Sequence, residues 1–254
     1  MRTLPHRVLP VLLYHRFGTS PTGDPNLWIP TERFSAQLQW LTDHGYRTLS
    51  LDETFEHLSA GRVPGRSVLL TIDDGFAESL QLAAEALSRH AMRATVFVAA
   101  DLVGRQAELR HPAGGDSMVS TGRIADRLGL IRWLEQGLDI GSHSLTHRDL
   151  RGCDAEVVRR EAGESKRRLE DLLSRPVLDF CYPYTHHDAV SRGEVAVAGY
   201  RAAYAGEPPQ NDLFAIPRMM VYPQDSEARF RRKVSGYYFW ISAWHQRLRR
   251  FMGN

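Results

Sequence analysis

Residues 68–72 form an unbroken run of apolar and β-branched side chains that ends abruptly in Asp73, Asp74 and Gly75. A run this short, entered through the turn at residues 61–66, reads as a strand buried on both faces. Strands of that kind belong to parallel sheets covered by helices. The rest of the chain obeys the same logic. Apolar residues at helical spacing (Phe34, Leu38 and Leu41; Leu80, Ala83, Ala84 and Leu87) alternate with short extended runs at residues 8–14, 46–49, 95–99, 138–140 and 177–181. Alternation of this type predicts parallel strands joined by crossover helices, with the active site at the C-terminal strand ends.

The 254 residues suffice for one such α/β domain, and no internal repeat divides them. Two cysteines, Cys153 and Cys181, match neither a zinc knuckle nor a disulfide framework, which points to a reducing compartment. The apolar stretch 8–14 is too short for a leader, and no apolar run reaches the ~18 residues of a membrane span. A cytoplasmic protein is therefore expected. Charge is uneven: from Glu227 onward seven Lys/Arg face one acid, a local +6 against −4 for the remainder. Phe230, Val234, Tyr237, Ile241, Trp244, Leu248 and Phe251 recur at spacings of three and four there, so residues 226–254 read as a basic amphipathic helix appended to a domain at 1–225. Packing on the domain is the first reading of that helix, and peripheral contact with an anionic membrane face is the second.

Asp-Asp-Gly is ordinary turn chemistry when it stands alone. Delivered by a buried strand it means more, because one carboxylate can bind a cation while its neighbour reaches the water that the cation activates. His143 and His147, four apart, share one face if they lie in a helical turn, and two imidazoles plus a carboxylate suit zinc or another divalent transition metal. His15, Asp73 with Asp74, His143 and Tyr184 each follow the end of an expected strand, so four separate stretches converge on one face. Residues 102–122, with scattered Gly and Pro, read as a long substrate-contacting loop.

Taken in order, Thr71-Ile72-Asp73-Asp74-Gly75, His143-Ser144-Leu145-Thr146-His147 and Tyr182-Pro183-Tyr184 resemble the first three motifs of the polysaccharide deacetylase family, carbohydrate esterase family four. Supporting likeness runs from Tyr14-His15 through residues 161–169 and 199–203 to Ile216-Pro217-Arg218, nearly nine tenths of the chain. The resemblance implies a distorted (β/α) barrel of about seven parallel strands and metal-dependent removal of acetyl groups, N-acetyl favoured, from a carbohydrate or lipid-linked glycan. It makes Asp74, His143 and His147 the ligands of one divalent metal, zinc first, with cobalt, nickel or iron as alternatives. Asp73 becomes the general base, and Tyr184, Pro183 and His15 line the substrate. Nucleic acid is not implied as a partner.

Two departures stand out. Many members carry a base-orienting arginine where this chain has Cys181, and Arg218 is the expected substitute. Many also carry a late Leu-x-His that supplies the general acid, whereas residues 219–226 contain no histidine. His15, His186 and His187 are the substitutes at hand. The competing readings are a glycan-binding barrel without turnover, and an amidase or deformylase acting on a small or lipid-linked amide.

Overall fold

The computed structural model describes residues 8–19, 23–111, 119–206 and 212–238. Strands β1 (Val11–Tyr14), β2 (Arg16–Phe17), β3 (Trp28–Ile29), β4 (Arg47–Thr48), β5 (Ser67–Ile72), β6 (Thr95–Val98), β7 (Gln106–Arg110), β8 (Val119–Arg123), β9 (Asp139–Ser142), β10 (Asp179–Cys181), β11 (Ala202–Ala205), β12 (Ile216–Pro217) and β13 (Met219–Met220) are joined by helices. These are α1 (Thr31–Asp43), α2 (Leu51–Ser59), α3 (Ala77–Arg89), α4 (Arg127–Glu135), α5 (Ala155–Leu173), α6 (Ala189–Val197) and α7 (Glu227–Val234). The main sheet runs β12-β11-β10-β9-β6-β5-β1-β13 with every neighbour parallel, and β4 joins β5 at its edge.

These eight strands form a nearly closed barrel. Its two ends belong to one extended segment: Ile216 and Pro217 pair with β11, and Met219 and Met220 pair with β1. Arg218 lies between them, at the seam. Counted as one wall, that segment gives the expected seven, so the ladder count differs from the expectation only in how the seam is divided.

The alternation of the strands sorts the side chains into two layers. Leu12, Leu70, Ile72, Val96 and Phe180 face outward and pack under the helices with Phe34, Leu38, Leu80, Leu87 and Leu169. Val11, Leu69, Phe97, Cys181, Tyr204 and Ile216 face inward. Leu49 and Leu51 plug the N-terminal floor of the barrel, held there by α2, whose capping box pairs Ser50 Oγ with Glu53 N–H and the Glu53 carboxylate with Ser50 N–H. Gly141 is required inside. A Cβ there would lie 2.3 Å from the Phe97 ring, which fills the space.

Within the stretch expected as a loop at residues 102–122, Gln106–Arg110 and Val119–Arg123 instead pair as an antiparallel ladder, β7 on β8, while residues 112–118 lie outside those described. The anchor of the ladder is Arg16, buried between the rings of Trp28 and Phe76 with its guanidinium carbon 4.2 and 3.8 Å from their centroids. Arg16 Nη1 donates to Ser120 Oγ and Thr121 O. No described helix is long and apolar enough to cross a membrane. Of the C-terminal amphipathic stretch, α7 packs Phe230 and Val234 into the outer core, and its register ends before Gly236, at φ 78°. Residues 239–254 lie outside those described.

Candidate active site

β5 pairs with β1 as far as Asp73, whose N–H donates to Tyr14 O. The chain then leaves extended geometry: Asp74 has φ 70° and Gly75 φ 77°, so the carboxylates do not point to opposite sides as a continued strand would require. They flank a single imidazole instead. His143 Nε2 lies 3.7 Å from Asp73 Oδ2 and 3.8 Å from Asp74 Oδ1, and His147 Nε2 lies 3.1 Å from Asp74 Oδ1.

His143 closes β9, and the segment to His147 is a bend, not the expected helical turn. Ser144 and His147 both adopt left-handed backbone, at φ 66° and 65°. Glu161, buried on the inner stripe of α5, imposes this shape by accepting from Leu145 N–H, Thr146 N–H and Thr146 Oγ1. Ser144 Oγ accepts from His147 N–H. Sequence reasoning missed Glu161 as a positioning group, although a signal existed: an acid on an otherwise apolar or small-residue face formed with Val158, Ala162, Ser165 and Leu169.

The tautomers follow from the partners. His143 Nδ1 lies 2.9 Å from Cys181 O, which can only accept, so Nδ1 carries the hydrogen and Nε2 a lone pair. Tyr184 Oη donates its one hydrogen to Arg110 O and therefore accepts from His147 Nδ1 at 3.1 Å, again leaving the Nε2 lone pair inward. Two imidazole lone pairs and the Asp74 carboxylate thus face one another, an all-acceptor arrangement suited to a cation. Asp74, His143 and His147 place their ligand atoms within 4.8 Å of one another. Burial pushes His143 down to about 4, against the pull of Asp73, so its ring is neutral at physiological pH. Burial also works against ionisation of Asp74, but His147, His15 and His143 outweigh it and hold the carboxyl well below its ordinary range.

Asp73 is served from the other side. Arg218 Nη1 and Nη2 donate to its two oxygens at 2.7 and 2.8 Å, a bidentate pair at the barrel seam. Burial would raise the Asp73 carboxyl, yet the Arg218 charge, then His143, then His15, depress it below the usual value. Cys181 Sγ stands 3.8 Å from both oxygens, and burial keeps the thiol protonated by pushing it well up. Asp73, His143 and Cys181 also form a metal-capable group, but both Asp73 oxygens are engaged by Arg218.

His15 follows β1, close enough to both aspartates to lower their carboxyls, and its Nδ1 is buried without a hydrogen-bond partner among the described residues. Pro183 is buried within the turn, while Tyr184, at φ 59°, is half-buried and edge-on to the His147 ring. His186 and His187 lie farther along that loop. His186 pairs with Asp149, and His187 packs against Tyr182.

Residues 60–203 match the family model described as polysaccharide deacetylase. The chain belongs to the polysaccharide deacetylase family. Among sequences, it is 26% identical to YxkH of Bacillus subtilis (strain 168), named as a polysaccharide deacetylase, with 87% of this chain aligned to 74% of that protein. It is 22% identical to the poly-beta-1,6-N-acetyl-D-glucosamine N-deacetylase of Staphylococcus aureus (strain MRSA252), over 85% of this chain and 75% of that one. Among solved structures, the Streptococcus pyogenes deacetylase PplD, in complex with acetate, shares the fold with a TM-score of 0.77 at 22% identity, covering 91% of this deacetylase-family chain and all of PplD.

Proposed function

We propose that this family member is a metal-dependent hydrolase that removes N-acetyl groups from a glycan, with Asp74, His143 and His147 as metal ligands and Asp73 as general base. The observation that carries the reading is the division of two adjacent aspartates between unlike partners, Arg218 for Asp73 and His147 for Asp74, with His143 between the two. A binding protein needs no oriented, ionised carboxylate beside a cation site.

A divalent ion held by Asp74, His143 and His147 would polarise the acetyl carbonyl and acidify water. The remaining work falls to the chain. Arg218 keeps Asp73 ionised and fixes its plane, at the expense of some basicity, so that a free lone pair accepts the proton from the attacking water. The backbone N–H of Tyr184 donates to the oxyanion that develops on the acetyl carbon's oxygen. The leaving amine needs a proton, and His15, within electrostatic reach of both aspartates, supplies it in place of the late histidine that residues 219–226 lack.

The test is acetate release from N-acetylated and O-acetylated oligosaccharides by metal-stripped protein reloaded with zinc, cobalt, nickel or iron. Activity restored by a metal and abolished in Asp73→Asn is expected. A metal-loaded wild type inert on every substrate, with glycan affinity unaltered in Asp73→Asn, would replace this reading with the binding protein. If His15 is a poor acid, esters will be cleaved faster than amides, because an alcohol leaves with less need of protonation; a fast, amide-selective enzyme would sink that corollary.

A further inference from the structure

The last turn of α7 buries a lysine. Lys233 is 1% exposed and Asp225 2%, so neither charge is left to solvent. An ammonium in such surroundings needs both a counter-charge and hydrogen-bond acceptors. Lys233 Nζ finds them in Asp225 Oδ2 and Met220 O. Oδ2 also accepts from Tyr222 N–H at 3.0 Å, and Arg229 Nε stands 3.0 Å from Oδ1. The main-chain oxygen of Asp225 accepts from Arg33 Nη1 of α1 at 2.7 Å. One buried pair thus ties β13, the turn at residues 222–225, α1 and α7 together.

What the pair holds is the seam of the barrel. β13 is two residues long, and its register against β1 rests on Met219 opposite Leu12 and Met220 opposite Leu13. Val221 N–H donates to Leu13 O, and the main-chain groups of successive strand residues face opposite ways, so Met220 O points away from β1. Arg218 N–H, of the same parity, donates to Ala205 O of β11 at 3.0 Å. β11 ends at Ala205, and the Lys233 ammonium meets the carbonyl that a longer β11 would have paired. Arg218 therefore sits between two fixed points, Ala205 O behind it and the lysine-held carbonyl ahead. Its paired donation to Asp73 leaves little tolerance, because a misplacement of ~1 Å is enough to slow a reaction about 10²-fold. Neither Lys233 nor Asp225 serves the metal or the proton transfers assigned above.

Resting on the deacetylase reading, we propose that Lys233 is a positioning residue for the general base: with Asp225 it fixes β13 and so keeps both Arg218 nitrogens on Asp73. The experiment follows Lys233→Met in the zinc-loaded full chain, alone and combined with Arg218→Met. Its readouts are turnover of an N-acetylated oligosaccharide and heteronuclear NMR of the Arg218 guanidinium, whose signals are identified by their loss in Arg218→Met. In Lys233→Met the turnover number should fall about tenfold with KM and zinc content unchanged, and the guanidinium signals should broaden. Added to Arg218→Met, the same substitution should cost no further turnover, since a residue that acts through Arg218 has nothing left to act on. Lys233→Met with Asp225→Asn removes both charges together and is the second variant should the single one fail to fold. It still strips Met220 O of its donor and should show the same pattern. Unchanged turnover with sharp guanidinium signals, or equal losses with and without Arg218, overturns the role and leaves the clamp a fastening for α7 alone. A wild type inert toward every substrate, whose guanidinium signals nonetheless broaden in Lys233→Met, would overturn the deacetylase reading and keep the positioning.

Discussion

Two buried aspartates, one at each end of the same barrel, are paired with arginines and behave oppositely. At the mouth, Arg218 gives both guanidinium nitrogens to Asp73, one to each oxygen, and the carboxyl is held below its ordinary range. At the floor, Arg201 places Nε and Nη2 on a single oxygen of Asp179 and shares Nη2 with Asp52, leaving Asp179 Oδ1 without a partner among the described residues. There burial wins, with Asp52 and Asp139 adding repulsion, and the carboxyl is pushed up to about 7. The two carboxylates are almost equally shielded, so their own burial does not set the sign. What differs is whether the arginine is dedicated and bidentate, with imidazoles nearby, or shared between two acids. The mouth is organised to keep a charge, whereas the floor tolerates one.

The largest contrast is expected from Asp74→Asn. Removing the carboxylate from the Asp74, His143 and His147 group should reduce bound metal, measured by elemental analysis after dialysis, to background and acetate release with it. No substitution at the floor should do either. A metal content unchanged in Asp74→Asn would remove the basis for dividing the two aspartates.

Arg218→Met comes next. Metal should be retained, and the turnover number should fall by about 10²-fold, within the range of general-base contributions, with little change in KM. Stability should also fall, because a buried partner left alone costs ~3–5 kcal/mol. Asp73 can escape that cost by taking up a proton, so the deficit relative to wild type should shrink on acidification. A loss of stability that is flat with pH would argue that the arginine only fills the seam.

These two ends were not equally legible. The convergence of His15, Asp73, Asp74, His143 and Tyr184 could be read because strand ends in parallel sheets share a face, and the periodicity located those ends. The shape of the metal-site loop could not. A four-residue histidine spacing suggests a helix, and only the arrival of Glu161 from α5, fifteen residues away in sequence from Thr146, forces the left-handed bends. Arg218 was accessible through family likeness alone, since its place depends on how the barrel closes. The β7–β8 ladder was within reach: Gln106 to Arg110 alternates exposed and covered positions, but the charged residues and the glycines beyond it favoured a loop. At the floor nothing signalled Asp179, because a lone acid at a strand start looks like any other.

Asp179→Asn tests the floor through pH. The folded carboxyl titrates near 7 and the unfolded one near ~4, so between those values the unfolded chain has released a proton that the folded chain retains. Stability then falls as pH rises, by at most about 1.4 kcal/mol per unit, and levels off above 7. Asp73 has the opposite sign, its stabilisation disappearing only as pH falls below the ordinary carboxylate range. Denaturant titrations from pH 4 to 8 should therefore show a flatter profile for Asp179→Asn than for wild type, with the curves closest at the acidic end. Parallel curves would mean that the Asp179 carboxyl titrates alike in the folded and unfolded chain, its burial fully offset by Arg201.

The smallest effect is expected at Ser50, and it bears on whether the two ends are coupled. Ser50→Ala breaks the capping box of α2, whose Leu51 N–H also donates to Asp139 Oδ2 at the floor. Loss of a cap costs ~1 kcal/mol, about 2–4 °C in Tm for a chain of this size. The damage should stay local, because Phe97 and Tyr204, packed ring to ring at 5.2 Å, fill the barrel between the floor and Arg218. Acetate release at 25 °C should match wild type. If it falls in step with stability, the floor positions Arg218 through those rings, and the barrel interior acts as one body from α2 to Asp73.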